Sequence, residues 1–294
     1  MKNYLLILLA ILVAYAPALC WALPPYLLFR RPPASSGATL PLDEVGSAKF
    51  AFSVARKLRS AYAGQCIRIR RGSDDAETDI GFSGDDINAA DIATHCSGTT
   101  GYVKLIYDQS GNAQNIDVAT TTLQPIIYQS GAVVTGSNSR VACIFDGSDD
   151  YLDAFFTFSD AQINYYVVFK SITNVNSDKI VELGSNVRGA LRQQAGPTLD
   201  VNSGATLNGP SVSTGVWYFA AVGIDTGGNE SISVNGAAAT TGDGGSSGAT
   251  GALIGHTSAT ANFEFSEWIC YPAAYNSGNI TTLFNNADAY YAIP

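Results

Sequence analysis

Three segments of the chain run from alternating apolar residues into clusters of Asp, Ser, Gly and Asn. They are Arg68-Ile69-Arg70-Arg71-Gly72-Ser73-Asp74-Asp75, Tyr107-Asp108-Gln109-Ser110-Gly111-Asn112 and Phe145-Asp146-Gly147-Ser148-Asp149-Asp150-Tyr151-Leu152. Short polar side chains of this kind accept backbone hydrogen bonds and tolerate left-handed backbone, so each cluster reads as a turn that closes a strand. Their carboxylates are also hard oxygen ligands. Asp146, Asp149 and Asp150, and with them Asp74 and Asp75, are candidate calcium positions. Asp108 and Asn112 read instead as turn-fixing residues, bonding the backbone rather than a substrate. A zinc centre is disfavoured, because there are two histidines and no Cys-x-x-Cys. No other cofactor is expected.

The elements that must position these groups are mostly strands. Charged residues make up only 14% of the chain and Gly numbers 29, which is the usage of a turn-rich all-β protein. Phe50, Val54, Leu58 and Tyr62 recur every fourth position, which predicts an amphipathic helix over Ser47–Tyr62, and a second short helix is predicted over Asp86–His95. Beyond Gly101 the apolar period becomes two. Strands are predicted at Tyr102–Tyr107, Arg140–Phe145, Asn164–Ser171, Lys179–Leu183, Thr198–Val201, Val216–Ile224 and Phe263–Tyr271, among others, separated by Gly-rich turns. Ile280, Leu283, Phe284 and Ala287 return to helical spacing and predict a C-terminal helix.

The first residues belong to targeting. Lys2 precedes an apolar run from Tyr4 to Ala16, and small residues follow at Ala16-Pro17-Ala18 and Cys20-Trp21-Ala22, so residues 1–22 read as a signal peptide or a membrane anchor. Residues 23–41 form a Pro/Ser-rich linker, and 42–294 a single folded domain. The chain is accordingly expected to be exported or extracellular, or membrane-anchored, touching a membrane only through its N-terminus. A formal net charge of -9 opposes binding to a polyphosphate backbone, so no nucleic-acid partner is expected. Excluding Cys20, four cysteines remain, which leaves three pairings open for two disulfides.

The order and spacing of the three turn motifs, with Arg56-Lys57-Leu58-Arg59-Ser60-Ala61-Tyr62 before them, resemble the catalytic module of the arabinofuranosidase B family. The later segments Tyr165-Tyr166-Val167-Val168-Phe169, Trp217-Tyr218-Phe219-Ala220-Ala221-Val222 and Glu267-Trp268-Ile269-Cys270-Tyr271-Pro272 resemble laminin-G and concanavalin A-like modules. Together these likenesses imply an all-β, concanavalin A-like antiparallel sandwich, or jelly roll, with a few short helices. The arabinofuranosidase resemblance implies a Cys66–Cys96 disulfide. Cys143 and Cys270 lie on strands that are neighbours in such folds, so they either pair or stay as buried thiols.

A retaining glycosidase needs a nucleophile and an acid/base, ordinarily two carboxyl groups about 5 Å apart. The local match for the family's nucleophile strand is Thr198-Leu199-Asp200-Val201-Asn202-Ser203-Gly204, where Asn202 stands in place of Glu. The match for its acid/base segment is Ala252-Leu253-Ile254-Gly255-His256-Thr257, which has no carboxylate. Ile180-Val181-Glu182-Leu183-Gly184 lacks the family's vicinal cysteines. By these matches Glu182, Arg192, Asp200, Asn202 and His256 line the former cleft as carbohydrate-binding residues, with Asp200 and Glu182 the carboxylates to test for surviving catalysis. The first expectation is therefore a non-catalytic carbohydrate-binding or adhesion protein with a glycan or polysaccharide as partner, in a surface, virion or phage-tail-like setting. The alternative is an exported α-L-arabinofuranosidase or related glycoside hydrolase, which predicts a carboxyl pair facing one cleft, with Glu182, Asp200, Glu264 and Glu267 the carboxylates to compare. A second alternative is a structural surface protein without a ligand.

Overall fold

The computed structural model describes residues 39–294, apart from 158–159, 161, 174–177, 185–188, 195, 197, 226, 247–248 and 257–260. The targeting segment and nearly all of the linker lie outside the described residues. No helix among the described residues is long and apolar enough to cross a membrane.

The body is a nearly all-β antiparallel sandwich. Its back layer is built on three strands, Gln162–Ser171 lying between Trp217–Asp225 and Asn262–Tyr271. Phe50–Ser53 and Cys143–Asp146 both add to the Asn262–Tyr271 strand. The front layer runs Tyr151–Phe155, Gly251–Gly255, Asp178–Glu182, Ala190–Gln193, Thr198–Asn202 and Thr206–Ser211, each strand antiparallel to the next. Period-two alternation sends one set of front-layer side chains inward. Leu152, Ile254, Val181, Leu191, Val201 and Leu207 form a register row in the main core, where they meet Phe145, Phe169, Phe263, Phe265 and Trp268 from the back layer. The alternate set, which includes Asp153, Leu253, Glu182, Asn202, Arg192 and Asp200, faces away from that core.

The outer face of the back layer is covered. Tyr166, Val168, Phe219, Ala221 and Ile269 pack there against Ile280, Leu283, Ala287 and Tyr291 of the C-terminal helix, which spans Ser277–Tyr291 and is capped by Asn276 accepting from Asn279 N. That helix follows its sequence pattern. The helix predicted at Ser47–Tyr62 does not form: Phe50–Ser53 is a fully buried strand paired with Glu267–Cys270. Phe50, Phe52 and Val54 also alternate, and the open edge of a long buried strand satisfies their backbone where a helix would expose Phe52. The second helix begins at Ala89 rather than Asp86, because Asp86–Ile87 pairs with Phe82–Ser83.

The four described cysteines are free and buried, which corrects the disulfides expected above. Cys66 precedes Ile67 at one end of strand Ile67–Arg71, whereas Cys96 packs on Gly101, the partner of Arg71 at the other end. Strand rise alone separates them by roughly 17 Å, far beyond disulfide reach. Cys143 pairs with Phe265, five residues along the strand from Cys270, so that pair is separated in the same way. Burial pushes the thiols of Cys66, Cys143 and Cys270 upward, which keeps them protonated and unreactive.

Candidate active site

The outward face of the front layer gathers the polar residues in two adjoining groups. In the first, Lys179 Nζ donates to Glu182 Oε2 at 2.8 Å, and His256 Nε2 lies 4.0 Å from the same oxygen. Strand pairing causes this meeting. Glu182 sits opposite Leu253, and His256 follows Gly255 at the end of that strand. A bulge between Lys179 and Val181 puts the lysine and the glutamate on one face although they are three residues apart. Glu182 is fully buried and Lys179 nearly so. Burial, and then the Lys179 ammonium, lower the pKa of His256 although Glu182 opposes them, so its imidazole is neutral at pH 7.

In the second group, Arg192 grips Asp200 with both arms, Nε at 2.8 Å and Nη2 at 2.9 Å, and Gln194 donates to the same carboxylate. The register Arg192↔Asp200↔Asn208 fixes this geometry. Arg192, Gln194, Thr198, Asp200, Thr206 and Asn208 line a concavity of about 620 Å³. Asn202 is placed beside it but spends its amide locally, donating to Thr206 Oγ1 at 2.8 Å and accepting from Gly204 N at 3.1 Å. The five residues named from sequence thus share one sheet face in two clusters, Glu182 with His256 and Arg192 with Asp200 and Asn202.

Glu264 and Glu267 do not join them. Both stand on the back layer, Glu264 in an ion pair with Lys170 and Glu267 with Arg56. Sequence reasoning missed Lys179 and Asp153. Asp153 lies across Leu253 from Glu182, half-buried, with a pKa raised by burial and by Asp117 on the facing strand. The alternation of Tyr151-Leu152-Asp153, with Leu152 inward, was the signal that could have found it.

The acidic turn after Cys143–Asp146 brings ligand oxygens of Asp146, Asp149 and Asp150 within 4.8 Å of one another. Asp150 is buried, accepts from Asp146 N at 3.0 Å, and is pushed up to about 7 by burial and the neighbouring carboxylates. Asp74 and Asp75 serve otherwise, paired with Arg71 and Arg70 at 2.7 Å each. Asp108 is the turn-fixing residue expected, accepting from Ala51 N, Ser110 N and Gln114 N.

The family profile described as the catalytic part of α-L-arabinofuranosidase B matches residues 46–168. The α-L-arabinofuranosidase B of Penicillium canescens is 39% identical over 71 residues, 24% of this chain and 15% of that protein. The α-L-arabinofuranosidase of Hypocrea jecorina is 43% identical over 70 residues, covering 24% and 14%. The matched segment is thus a small part of those relatives' own length. A solved GH54 α-L-arabinofuranosidase soaked with a cyclic sulfate inhibitor superposes with a TM-score of 0.68 at 19% identity, covering 83% of this chain and 63% of that one. An arabinofuranosidase complexed with arabinofuranosyl-α-1,2-xylobiose gives 0.66 at 19% identity, covering 86% and 65%.

The fold is arabinofuranosidase B-like. These matches correct the first expectation of a non-catalytic adhesion protein, because the profile, the curated relatives and the solved structures that share this arabinofuranosidase B-like fold are glycoside hydrolases. They lend no support to the phage-tail or laminin-G likenesses.

Proposed function

We propose that the protein is an exported glycoside hydrolase of arabinofuranosidase type, acting on arabinofuranosyl groups of a plant-type polysaccharide. The observation that carries this reading is the convergence of Glu182, Lys179 and His256 on the outward face of an arabinofuranosidase B-like sandwich. The step needs the sugar to reach Glu182, which is buried beside Lys179; its carboxylate then attacks the anomeric carbon as the glycosidic C–O bond breaks. The protonated form of His256, populated below its lowered pKa, passes a proton to the departing oxygen, and the neutral imidazole left behind then takes one from the water that releases the sugar from Glu182. An imidazole in the acid/base role replaces the carboxyl that the family pattern places in that segment. Asp200 is buried and positions Arg192 and Gln194, whose partly exposed ends line the concavity and are placed to bond sugar hydroxyls.

The test is turnover of an aryl arabinofuranoside and of arabinan by the full chain. Glu182→Gln and His256→Ala are each expected to lower kcat/KM by about 10²- to 10⁴-fold, with unchanged circular dichroism. Because the pKa of His256 lies below its usual 6.5, kcat/KM should decline above that pKa, and His256→Ala should remove that limb of the profile. Absence of turnover, or turnover indifferent to Glu182→Gln, would overturn the proposal.

A further inference from the structure

Phe155 is 79% exposed and is the one large apolar side chain exposed among the described residues. It lies at the end of the Tyr151–Phe155 strand, two residues beyond Asp153, so alternation puts it on the same outward face as Asp153 and Glu182. Its register partner is Gly251. Gly184, two residues past Glu182, lies against Gly251 so closely that an added Cβ would come 3.2 Å from the Gly251 nitrogen. The row beginning at Phe155 therefore continues through two residues without side chains. In the next row, Asp153, Leu253 and Glu182 stand side by side. Two strand spacings across and two residues along give roughly 12 Å between the Cα atoms of Phe155 and Glu182, the length of a short oligosaccharide.

An aromatic face stacks on the C–H face of a sugar ring, and a nearby carboxylate accepts its hydroxyls. We propose that Phe155 is the stacking platform of an outer subsite, holding a pyranose ring of the polysaccharide backbone that carries the scissile arabinofuranosyl group, with Asp153 accepting hydroxyl hydrogen bonds between platform and reaction centre. This inference rests on the hydrolase reading, and names the part of the substrate that reading leaves unspecified.

The experiment compares wild type, Phe155→Ala and Phe155→Trp on an aryl arabinofuranoside and on xylo-oligosaccharides bearing arabinofuranosyl branches, with calorimetric titration of the same oligosaccharides. Phe155→Ala should lose about tenfold in kcat/KM and in affinity on the branched oligosaccharide, leave the aryl substrate unchanged, and be rescued by Phe155→Trp. Equal losses on both substrates, or none on either, would overturn it. If the wild type turns over neither substrate, the hydrolase reading fails, and calorimetry still decides the subsite. Binding weakened by Phe155→Ala upholds the platform; binding insensitive to that change, or no binding, removes it.

Discussion

The two layers of the sandwich each bury carboxylates beside cations on their outer faces, and they treat them differently. On the back layer Glu267 accepts from Arg56 Nε and Nη2 at 2.8 and 3.0 Å, and from Tyr166 and Tyr291 hydroxyls at 2.9 Å each. Arg56 in turn lies 4.5 Å from the centre of the Tyr290 ring. Burial works against the arginine's charge, but Glu267 more than offsets it and the pKa is raised. The C-terminal helix closes over this cluster. On the front layer Asp200 is held by Arg192 just as tightly, but the pair lines an open concavity. A roofed ion pair with every lone pair used docks an element, whereas one lining a concavity leaves polar atoms within reach of a ligand.

The comparison breaks most visibly through its arginines. Arg56→Ala strands Glu267 under the helix and is expected to cost about 3–5 kcal/mol of unfolding free energy. Arg192→Ala leaves Asp200 near Gln194 and solvent, and is expected to cost no more than about half of that. Denaturant titration of both variants decides the matter, and equal losses would mean that the front-layer pair is a structural lock.

A carboxylate at the turn joining the layers sharpens the contrast, because Asp150 favours a proton. Its folded pKa of about 7 stands above the ordinary 3.8, so its contribution to stability is fully present below 3.8 and is lost as pH rises through 7. Thermal unfolding measured in chelator should show stability falling between pH 4 and 7, by on the order of 1 kcal/mol per unit at most. Asp150→Asn should flatten that slope; an unchanged slope would place its origin elsewhere.

A smaller effect is expected at the helix. Tyr291→Phe removes one of the hydroxyls serving Glu267 and should cost about 1–2 kcal/mol, read from the same denaturant curves; a neutral result would mean that the helix is docked by apolar contacts alone. The smallest expected effect is none. With the four described cysteines free and buried, added reductant should leave the melting temperature unchanged, and a fall would reveal a disulfide.

Much of the fold was legible where local chemistry suffices. The turns at Asp108 and Asp146 follow from side chains that bond their own backbone, and the helix at Ser277–Tyr291 from its apolar spacing. Ser47–Tyr62 was misread because Phe50, Phe52 and Val54 fit either period, and only the strand Asn262–Tyr271, more than 200 residues away, selects the extended form. The cysteines show the same limit. Their sequence spacing does not say that Cys66 and Cys96 stand at opposite ends of one strand.

The candidate site divides along the same line. Arg192 and Asp200 share a hairpin, so their meeting is close to a local property. Glu182 and His256 meet only because strand Gly251–Gly255 inserts between Tyr151–Phe155 and Asp178–Glu182. The same insertion sets Asp153 and Phe155 beside them. The sequence by itself determined the all-β class, the turn chemistry and the terminal helix, because each depends on residues near one another in the chain. Tertiary structure alone decided which strand lies beside which, and hence which carboxylate is roofed, which faces a concavity and which meets an imidazole. Strand pairing joins residues through backbone hydrogen bonds whose geometry is the same for every side chain, so register and neighbour are fixed by the packing of the whole sandwich.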